Sequence, residues 1–200
     1  MSKPLSHDEI IFEQRFLKSG GFYTDAIDGD WGDNSEKAYQ RFLAETENVK
    51  KTHGSFDSRS EKNIVTLQIP AQILARQSLA KLLAAGLDAK IISGLRTYAE
   101  QDALYAIGRT VRTSEPTVTN AEGGESNHNF GIAWDIGLFN SGKYLTDSKS
   151  YESAAKLAKL PGLEWGGDWT SFKDTPHYQL ATGKKITAVR ALFEAGKQYW

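Results

Sequence analysis

Residues Ser126–Asp135, SNHNFGIAWD, contain a predicted change from a loop to a strand with one apolar face, and this change indicates the architecture of the chain. After Gly131, large apolar residues alternate with small ones, which is the period of a strand that packs one face on a core. A straight strand would hold His128 and Asp135 about 23 Å apart at roughly 3.3 Å per residue. Because Asn129 and Gly131 permit a turn between them, we expect both side chains to reach one metal ion.

A second polar motif, DTPH, occupies residues 174–177. Its proline excludes a helix interior and holds the preceding threonine extended, so His177 should open a short strand. His128, Asp135 and His177 would leave the fourth tetrahedral position of a zinc ion to water, as in catalytic zinc sites. Asp174, three residues before a ligand, is predicted to be the acid/base that exchanges protons with this water.

A third candidate is Arg96, where a predicted strand ends and a capped helix begins. An arginine at this place can bind a carboxylate or a developing oxyanion. Taken alone, such an arginine is more often a surface ion-pair partner that contributes about 0 to 1 kcal/mol. A lone His-x₆-Asp or Asp-x-x-His pattern is also more often structural. The argument for a site therefore depends on the combination of all three segments.

Composition narrows the choice of function. The formal net charge of the 200 residues is −1, whereas nucleic-acid binders usually have a basic excess. Cysteine is absent, so histidine and carboxylate side chains must hold any metal. No run approaches the roughly 20 apolar residues of a membrane span, and the N-terminus lacks the apolar stretch of a signal peptide. We expect a monomer made in the cytoplasm, with no nucleic-acid partner and no membrane span.

The N-terminal part of the chain predicts a small helical module. Ser6 and Glu9 form a capping box that opens a helix ending near Lys18. A second helix is predicted from about residue 34 to 47. Residues 50–62 are polar and contain glycine, which predicts a linker or a loosely packed connector. The predicted domains are therefore a module with its linker at 1–62 and a catalytic domain at 63–200.

The catalytic part mixes helical and strand patterns without a regular βαβ rhythm, which predicts an α+β fold on an antiparallel sheet with flanking helices. Helices are predicted at about residues 70–85, 99–107 and 151–159. Strands are predicted at about residues 89–95, 132–139 and 177–180. Residues 110–127 are predicted to form a loop.

Taken together, these segments resemble the zinc D-Ala-D-Ala carboxypeptidase and L-Ala-D-Glu endopeptidase family, which includes phage endolysins and bacterial cell-wall peptidases. The resemblance spans roughly residues 64–180 and rests on seven segments in order: SGLRT at 93–97, EQ at 100–101, LY at 104–105, GRT at 108–110, SxHxxGxAxD at 126–135, WGGDW at 165–169 and DxxH at 174–177. A fold shared with D,D-peptidases and the hedgehog domain is the implied architecture.

The resemblance also implies roles for individual residues. One Zn²⁺ per chain would be held by His128, Asp135 and His177, with Asp174 as the acid/base. Arg96 would stabilise the transition state or the substrate. By the same resemblance, Ser126 and Gln101 would line the substrate cleft.

Near the N-terminus, residues 8–47 resemble a small three-helix peptidoglycan-binding module. Its hallmark Asp-Gly-x-Trp-Gly is present as DGDWG at residues 28–32. The resemblance implies wall binding through Asp28, Gly29, Trp31 and Gly32. The third helix of such a module is not placed by the sequence.

The resemblance implies an endolysin-type peptidoglycan hydrolase that cuts the stem peptide. Aspartate rather than glutamate at position 174 is similar to the L-Ala-D-Glu endopeptidase branch and favours that bond. The alternatives are a D,D-carboxypeptidase acting on D-Ala-D-Ala, an inactive wall-binding protein and a zinc-stabilised module like the hedgehog domain. Peptidoglycan would be the partner, reached at the cell wall or periplasm through holin-type release or a secretion machine.

Overall fold

The computed structural model describes residues 5–200, so the first four residues of the predicted N-terminal module lie outside the described part. The described chain forms seven α-helices and five β-strands. The helices are α1 His7–Ser19, α2 Asp33–His53, α3 Ser58–Ile64, α4 Ile69–Ala84, α5 Tyr98–Ala106, α6 Ser148–Ala158 and α7 Ile186–Glu194. The strands are β1 Asp88–Ser93, β2 Ala133–Asn140, β3 Lys143–Tyr144, β4 Leu163–Trp165 and β5 His177–Leu180.

The strands form one sheet in the order β1-β2-β5-β4, with β3 paired to the far end of β2. Every pairing is antiparallel, which confirms the predicted α+β class. The large side chains Trp134, Ile136 and Leu138 of β2 are buried, as the alternation predicts. Asp135 stands directly opposite His177 in the pairing of β2 with β5, so the sheet itself brings these two residues together.

One compact unit consists of residues 46–95 and 131–181 and contains the sheet. Helix α4 packs against β1, β5 and α6 and carries the buried apolar residues of its core face. Arg76 of α4 is fully buried and donates to both carboxylate oxygens of Glu61, at 2.7 and 2.9 Å, and to the carbonyl of Gly54. This bidentate pair satisfies the charge of the buried guanidinium and fixes α3 to α4.

The other unit consists of the chain up to Glu45 together with residues 96–130 and 182–200. Its core is aromatic. Phe12 of α1 packs on Tyr98 of α5 and on Phe193 of α7, with ring centroids 5.8 and 5.3 Å apart. Phe193 also contacts Phe130, whose carbonyl accepts a hydrogen bond from the Tyr199 hydroxyl. Helix α1 is therefore built into this core.

The prediction that residues 50–62 form a linker was wrong. Helix α2 continues to His53, and α3 begins at Ser58. The side chain of Asp57 accepts hydrogen bonds from the backbone N–H groups of Arg59 and Ser60, which caps α3. Polar composition concealed these helices because their stabilising partners lie elsewhere in the chain. The division into functional domains near residue 62 stays a prediction.

Most other boundaries agree with the predicted ones within two residues. The capping boxes at Ser6 with Glu9 and at Thr97 with Glu100 are both present. Strands β3 and β4 and helix α7 were not predicted. Within residues 5–200, every helix is too short or too polar to cross a lipid bilayer.

Candidate metal centre

A single 3₁₀ turn, Asn127–Phe130, carries His128 into the protein. Ser126 accepts the backbone N–H of His128 at its hydroxyl, 3.4 Å away, and the N–H of Asn129 at its carbonyl. Gly131 then takes a φ of +65°, a conformation that favours glycine, and the chain enters β2. The predicted turn between His128 and Asp135 is confirmed.

His128, Asp135 and His177 each offer one ligand atom, and these atoms all lie within 4.8 Å of one another. Both histidines are buried and the aspartate is partly buried. The Nδ1 atom of His177 lies 3.4 Å from the Oδ1 atom of Asp135. The three predicted ligands therefore converge on a volume that one metal ion can occupy, and two imidazoles with one carboxylate suit zinc.

The second ring nitrogen of His177 has a partner that the sequence did not reveal. Its Nε2 atom lies 3.0 Å from Oε1 of Gln179, whose Nε2 atom donates to Glu164 at 2.6 Å. Because the amide of Gln179 is held in this orientation, it presents an acceptor to His177 and leaves Nδ1 as the metal-facing nitrogen. Such outer hydrogen bonds fix the tautomer and ring orientation of metal ligands.

Burial tends to lower the pKa of His177, but the hydrogen bond and the negative charge of Asp135 outweigh it and raise this pKa above its usual value. Gln179 adds to the increase, followed by the charge of Asp174. The ring of Trp169 also packs against His177, with centroids 5.0 Å apart. The carboxylates of Asp135 and Asp174 therefore stabilise positive charge at this imidazole.

Asp174 lies immediately before β5, where its carbonyl accepts the backbone N–H of His177 at 3.2 Å and its own N–H binds the carbonyl of Gly166. A Cβ atom on Gly166 would lie 2.5 Å from the carbonyl oxygen of Asp174 and 3.1 Å from Cβ of His177. Only glycine allows this approach without a shift of the backbone. The WGGDW motif thus sets the place of the predicted acid/base relative to a predicted ligand.

Arg96 and Gln101 lie together. The Nη1 atom of Arg96 donates to Oε1 of Gln101 at 2.9 Å, and the backbone N–H of Arg96 binds the carbonyl of His128 at 3.1 Å. Gln101 is fully buried, and its Nε2 atom donates to the hydroxyl of Thr119 and the carbonyl of Ala121. The amide of Gln101 is therefore engaged in holding Arg96 and the following loop.

Asn129 was predicted only as a turn residue, but its buried amide makes four hydrogen bonds. Its oxygen accepts the N–H groups of Gly124 and Ser126, and its nitrogen donates to the carbonyls of Arg96 and Thr97. The residue beside His128 therefore fixes the backbone that carries Arg96. The sequence did not reveal this role, because the two carbonyls that accept from the buried amide lie 33 and 32 positions away.

The DGDWG hallmark at residues 28–32 forms its hydrogen bonds within the N-terminal part of the chain. The carboxylate of Asp28 accepts the side-chain amide of Gln14 at 2.8 Å and the N–H of Asp30 at 3.1 Å. Gly29 has a φ of +76°, and a Cβ atom there would lie 2.1 Å from the ring of His7. Trp31 is partly exposed, packs on Tyr39 at 6.1 Å and donates its indole N–H to Glu36.

Comparison with known proteins places this site in a family. The family described as D-alanyl-D-alanine carboxypeptidase matches residues 119–180. Peptidoglycan L-alanyl-D-glutamate endopeptidase CwlK from Bacillus subtilis (strain 168) is 34% identical over 137 residues, 60% of this chain and 81% of that protein. The L-alanyl-D-glutamate peptidase of Listeria phage A118 is 39% identical over 84 residues, 37% of this chain and 29% of that protein.

Among solved structures, the L-Ala D-Glu endopeptidase ChiX from Serratia marcescens has a TM-score of 0.47 and 26% identity, covering 62% of this chain and 88% of that one. The matched family region contains the three converging ligand residues and Asp174. Since the similarity to CwlK extends over most of that relative, the chain belongs to the peptidase family of CwlK.

Proposed function

We propose that the chain is a zinc-dependent peptidoglycan hydrolase that cuts the stem peptide between L-Ala and D-Glu. The observation that carries the proposal is the convergence of His128, Asp135 and His177 within 4.8 Å in a relative of CwlK. The two histidines and the aspartate would hold one zinc ion, which is a ligand set typical of catalytic zinc. When bound, zinc supplies Lewis acidity that makes water nucleophilic near neutral pH.

Asp174 is proposed as the acid/base. Its carbonyl accepts the backbone N–H of His177, and its backbone lies close against Gly166, so the main chain that carries this carboxylate is fixed next to a predicted ligand. In this role the carboxylate accepts a proton from the attacking water and returns it to the leaving amine of the scissile bond. A general acid/base of this kind contributes about 10²- to 10⁴-fold to the rate.

Arg96 is proposed to bind negative charge of the substrate or transition state. The hydrogen bond from Nη1 to the buried Gln101 limits the positions that the guanidinium can take. Gln101 is then a positioning residue for Arg96, and Ser126 shapes the turn that carries His128. Arg96→Lys should lower kcat/KM of the peptidase strongly, because an ammonium group cannot reproduce the planar fork. Full activity of this variant would remove Arg96 from the site.

The choice of bond rests on the relatives named as L-alanyl-D-glutamate peptidases. The matched carboxypeptidase description supports the second candidate, a D,D-carboxypeptidase, but it covers only residues 119–180 and so excludes Arg96 and Gln101. A bound zinc ion would supply the same chemistry for cleavage of the L-Ala-D-Glu bond and of the D-Ala-D-Ala bond. Specificity must therefore come from substrate contacts outside the metal ligands.

The N-terminal module is proposed to bind the wall. Asp28, Gly29 and Gly32 would shape its loop, while the partly exposed Trp31 with Tyr39 would contact peptidoglycan through an aromatic face with a polar edge. A deletion is a poor test, because Phe12 of α1 packs on Tyr98 and Phe193. Trp31→Ala should instead weaken sacculus binding and leave the rate on a soluble stem peptide unchanged. Unchanged sacculus binding would reject this role.

The proposed place of action is the cell wall, with the protein acting as a monomer after holin-type release or passage through a secretion machine. The phage relative fits the first route. Fractionation of producing cells before and after a holin is expressed tests it. Appearance of the protein outside intact cells without a holin would favour secretion.

The test of the proposed activity uses two soluble peptides that differ in the bond offered, L-Ala-D-Glu or D-Ala-D-Ala. Cleavage of the first, its loss after chelation and its recovery with one equivalent of Zn²⁺ are expected. Asp174→Asn in the zinc-loaded form controls for contaminating hydrolases. Cleavage of the D-Ala-D-Ala peptide alone would select the second candidate, and cleavage of neither would reject both.

A further inference from the structure

Glu164 is an exposed residue of β4 that is connected to the candidate metal centre through Gln179. The two residues are Cα partners in the pairing of β4 with β5, and the carboxylate of Glu164 accepts from Nε2 of Gln179 at 2.6 Å. Gln179 lies two residues after His177, on the same face of β5, and its Oε1 atom is 3.0 Å from Nε2 of the imidazole. A continuous row of hydrogen bonds therefore runs from an exposed carboxylate to a predicted ligand.

The middle residue of this row is buried. Gln179 is only 8% exposed, and its Cα partner on β2 is Ala133, whose methyl group forms no hydrogen bond. A buried amide needs partners for both its oxygen and its nitrogen. The carboxylate of Glu164 supplies a partner at one end, and the imidazole of His177 supplies a partner at the other.

The direction of these hydrogen bonds follows from the chemistry of the carboxylate. An ionised carboxylate accepts hydrogen bonds and donates none, so the NH₂ group of Gln179 must face Glu164. The amide oxygen then faces His177, where it can only accept. A neutral imidazole must therefore carry its proton on Nε2. Its unprotonated nitrogen is Nδ1, which lies 3.4 Å from Oδ1 of Asp135, another predicted ligand.

We propose that Glu164 is a positioning residue that fixes the hydrogen-bond direction of Gln179 and so keeps Nδ1 of His177 available as a metal ligand. The inference rests on the proposed function, since it concerns the same zinc site. A side chain that donates at position 164 would reverse the amide of Gln179 and turn its NH₂ group toward Nε2. The imidazole would then have to carry its proton on Nδ1, and a protonated nitrogen cannot bind a metal.

The experiment measures the zinc affinity of metal-free full-length protein by competition with a chelator of known affinity. Glu164→Lys can donate but not accept, so its zinc affinity should fall about 10- to 100-fold, the range typical of outer hydrogen-bond partners. Glu164→Gln keeps an acceptor but removes the charge, so its affinity should stay within about threefold of the wild type. Glu152→Lys, at an exposed position of α6, makes the same change in charge and is the matched control.

A double variant tests the direction of the hydrogen bonds most sharply. When Glu164→Lys is combined with Gln179→Glu, the new carboxylate accepts from the new ammonium group and from Nε2 of His177. The original direction at His177 is then restored, so zinc affinity should return to within about threefold of the wild type. ¹⁵N NMR of the zinc-loaded protein gives a second readout. The signal of a protonated Nε2 on His177 should be present in the wild type and the double variant and be lost in Glu164→Lys.

Melting temperatures show whether each variant is folded, and the double variant keeps the test decisive if Glu164→Lys is less stable. Wild-type zinc affinity in Glu164→Lys would overturn this inference alone. An equal loss of affinity in Glu164→Gln or Glu152→Lys would also overturn it, because charge rather than hydrogen-bond direction would then act on the metal. A double variant that binds zinc as weakly as Glu164→Lys would have the same meaning. Failure of the wild-type protein to bind zinc would overturn the proposed function and this inference with it.

Discussion

Two aspartates in short polar motifs are used in opposite ways. The carboxylate of Asp28 is satisfied within its own turn and by Gln14 of α1. The carboxylate of Asp135 faces His177 and belongs to a group of ligand atoms within 4.8 Å. The polar atoms around Asp28 stabilise a loop, whereas those around Asp135 converge on one possible metal position. Sequence spacing alone does not distinguish these cases, but convergence in space does.

The largest expected effect comes from removing a ligand. His128→Ala or His177→Ala should abolish stoichiometric zinc binding and reduce kcat/KM on the L-Ala-D-Glu peptide by at least about 10³-fold, because bound zinc would activate the attacking water and polarise the scissile carbonyl. Metal analysis and steady-state kinetics measure both. The half-buried His53, 3.5 Å from Gln77, provides a matched His→Ala control. Zinc retained at full stoichiometry by His177→Ala would contradict the ligand assignment.

Asp174→Asn separates catalyst from ligand. The variant should keep its zinc and lose about 10²- to 10⁴-fold in kcat, because an amide cannot accept the proton. Asp168→Asn, on an exposed side chain that pairs with Lys159 at 3.6 Å, is the control and should keep normal kinetics. Wild-type turnover in Asp174→Asn would show that another group carries the proton.

Gln179→Leu tests the support behind His177. Loss of the Oε1 acceptor should weaken zinc affinity about 10- to 100-fold, since outer-shell partners of ligands typically contribute this much. Competition with a chelator of known affinity measures the change. An unaltered zinc affinity would show that the orientation of His177 is set by β-sheet pairing and Trp169 alone.

The smallest effect on catalysis is expected from a substitution of Gln14, which binds Asp28. Gln14 is fully buried and accepts the N–H groups of Asp28 and Gly29, so Gln14→Leu should reduce the free energy of unfolding by about 3 kcal/mol. Chemical denaturation measures this loss. Turnover of the soluble peptide by the folded fraction should be unchanged, and a matching loss of kcat would show that the two regions are functionally coupled.

The sequence predicted the ligands because the two motifs carry strong turn and strand signals. Gly131 at +65° and the strand start at His177 agree with those signals. It could not predict the roles of Gln101, Asn129 and Gln179, because a buried amide looks like any polar residue until its distant partners are known. The α2 extension and α3 were concealed in the same way, since Glu61 is stabilised by Arg76 fifteen residues later.

The most direct test of the proposed function is mass spectrometry of the products released from purified sacculi by the zinc-loaded protein. The account predicts muramyl residues that retain only L-Ala, together with stem fragments that carry a new D-Glu amino terminus. Asp174→Asn should give neither product. Release of free D-Ala as the only small product would contradict the account and establish the carboxypeptidase alternative.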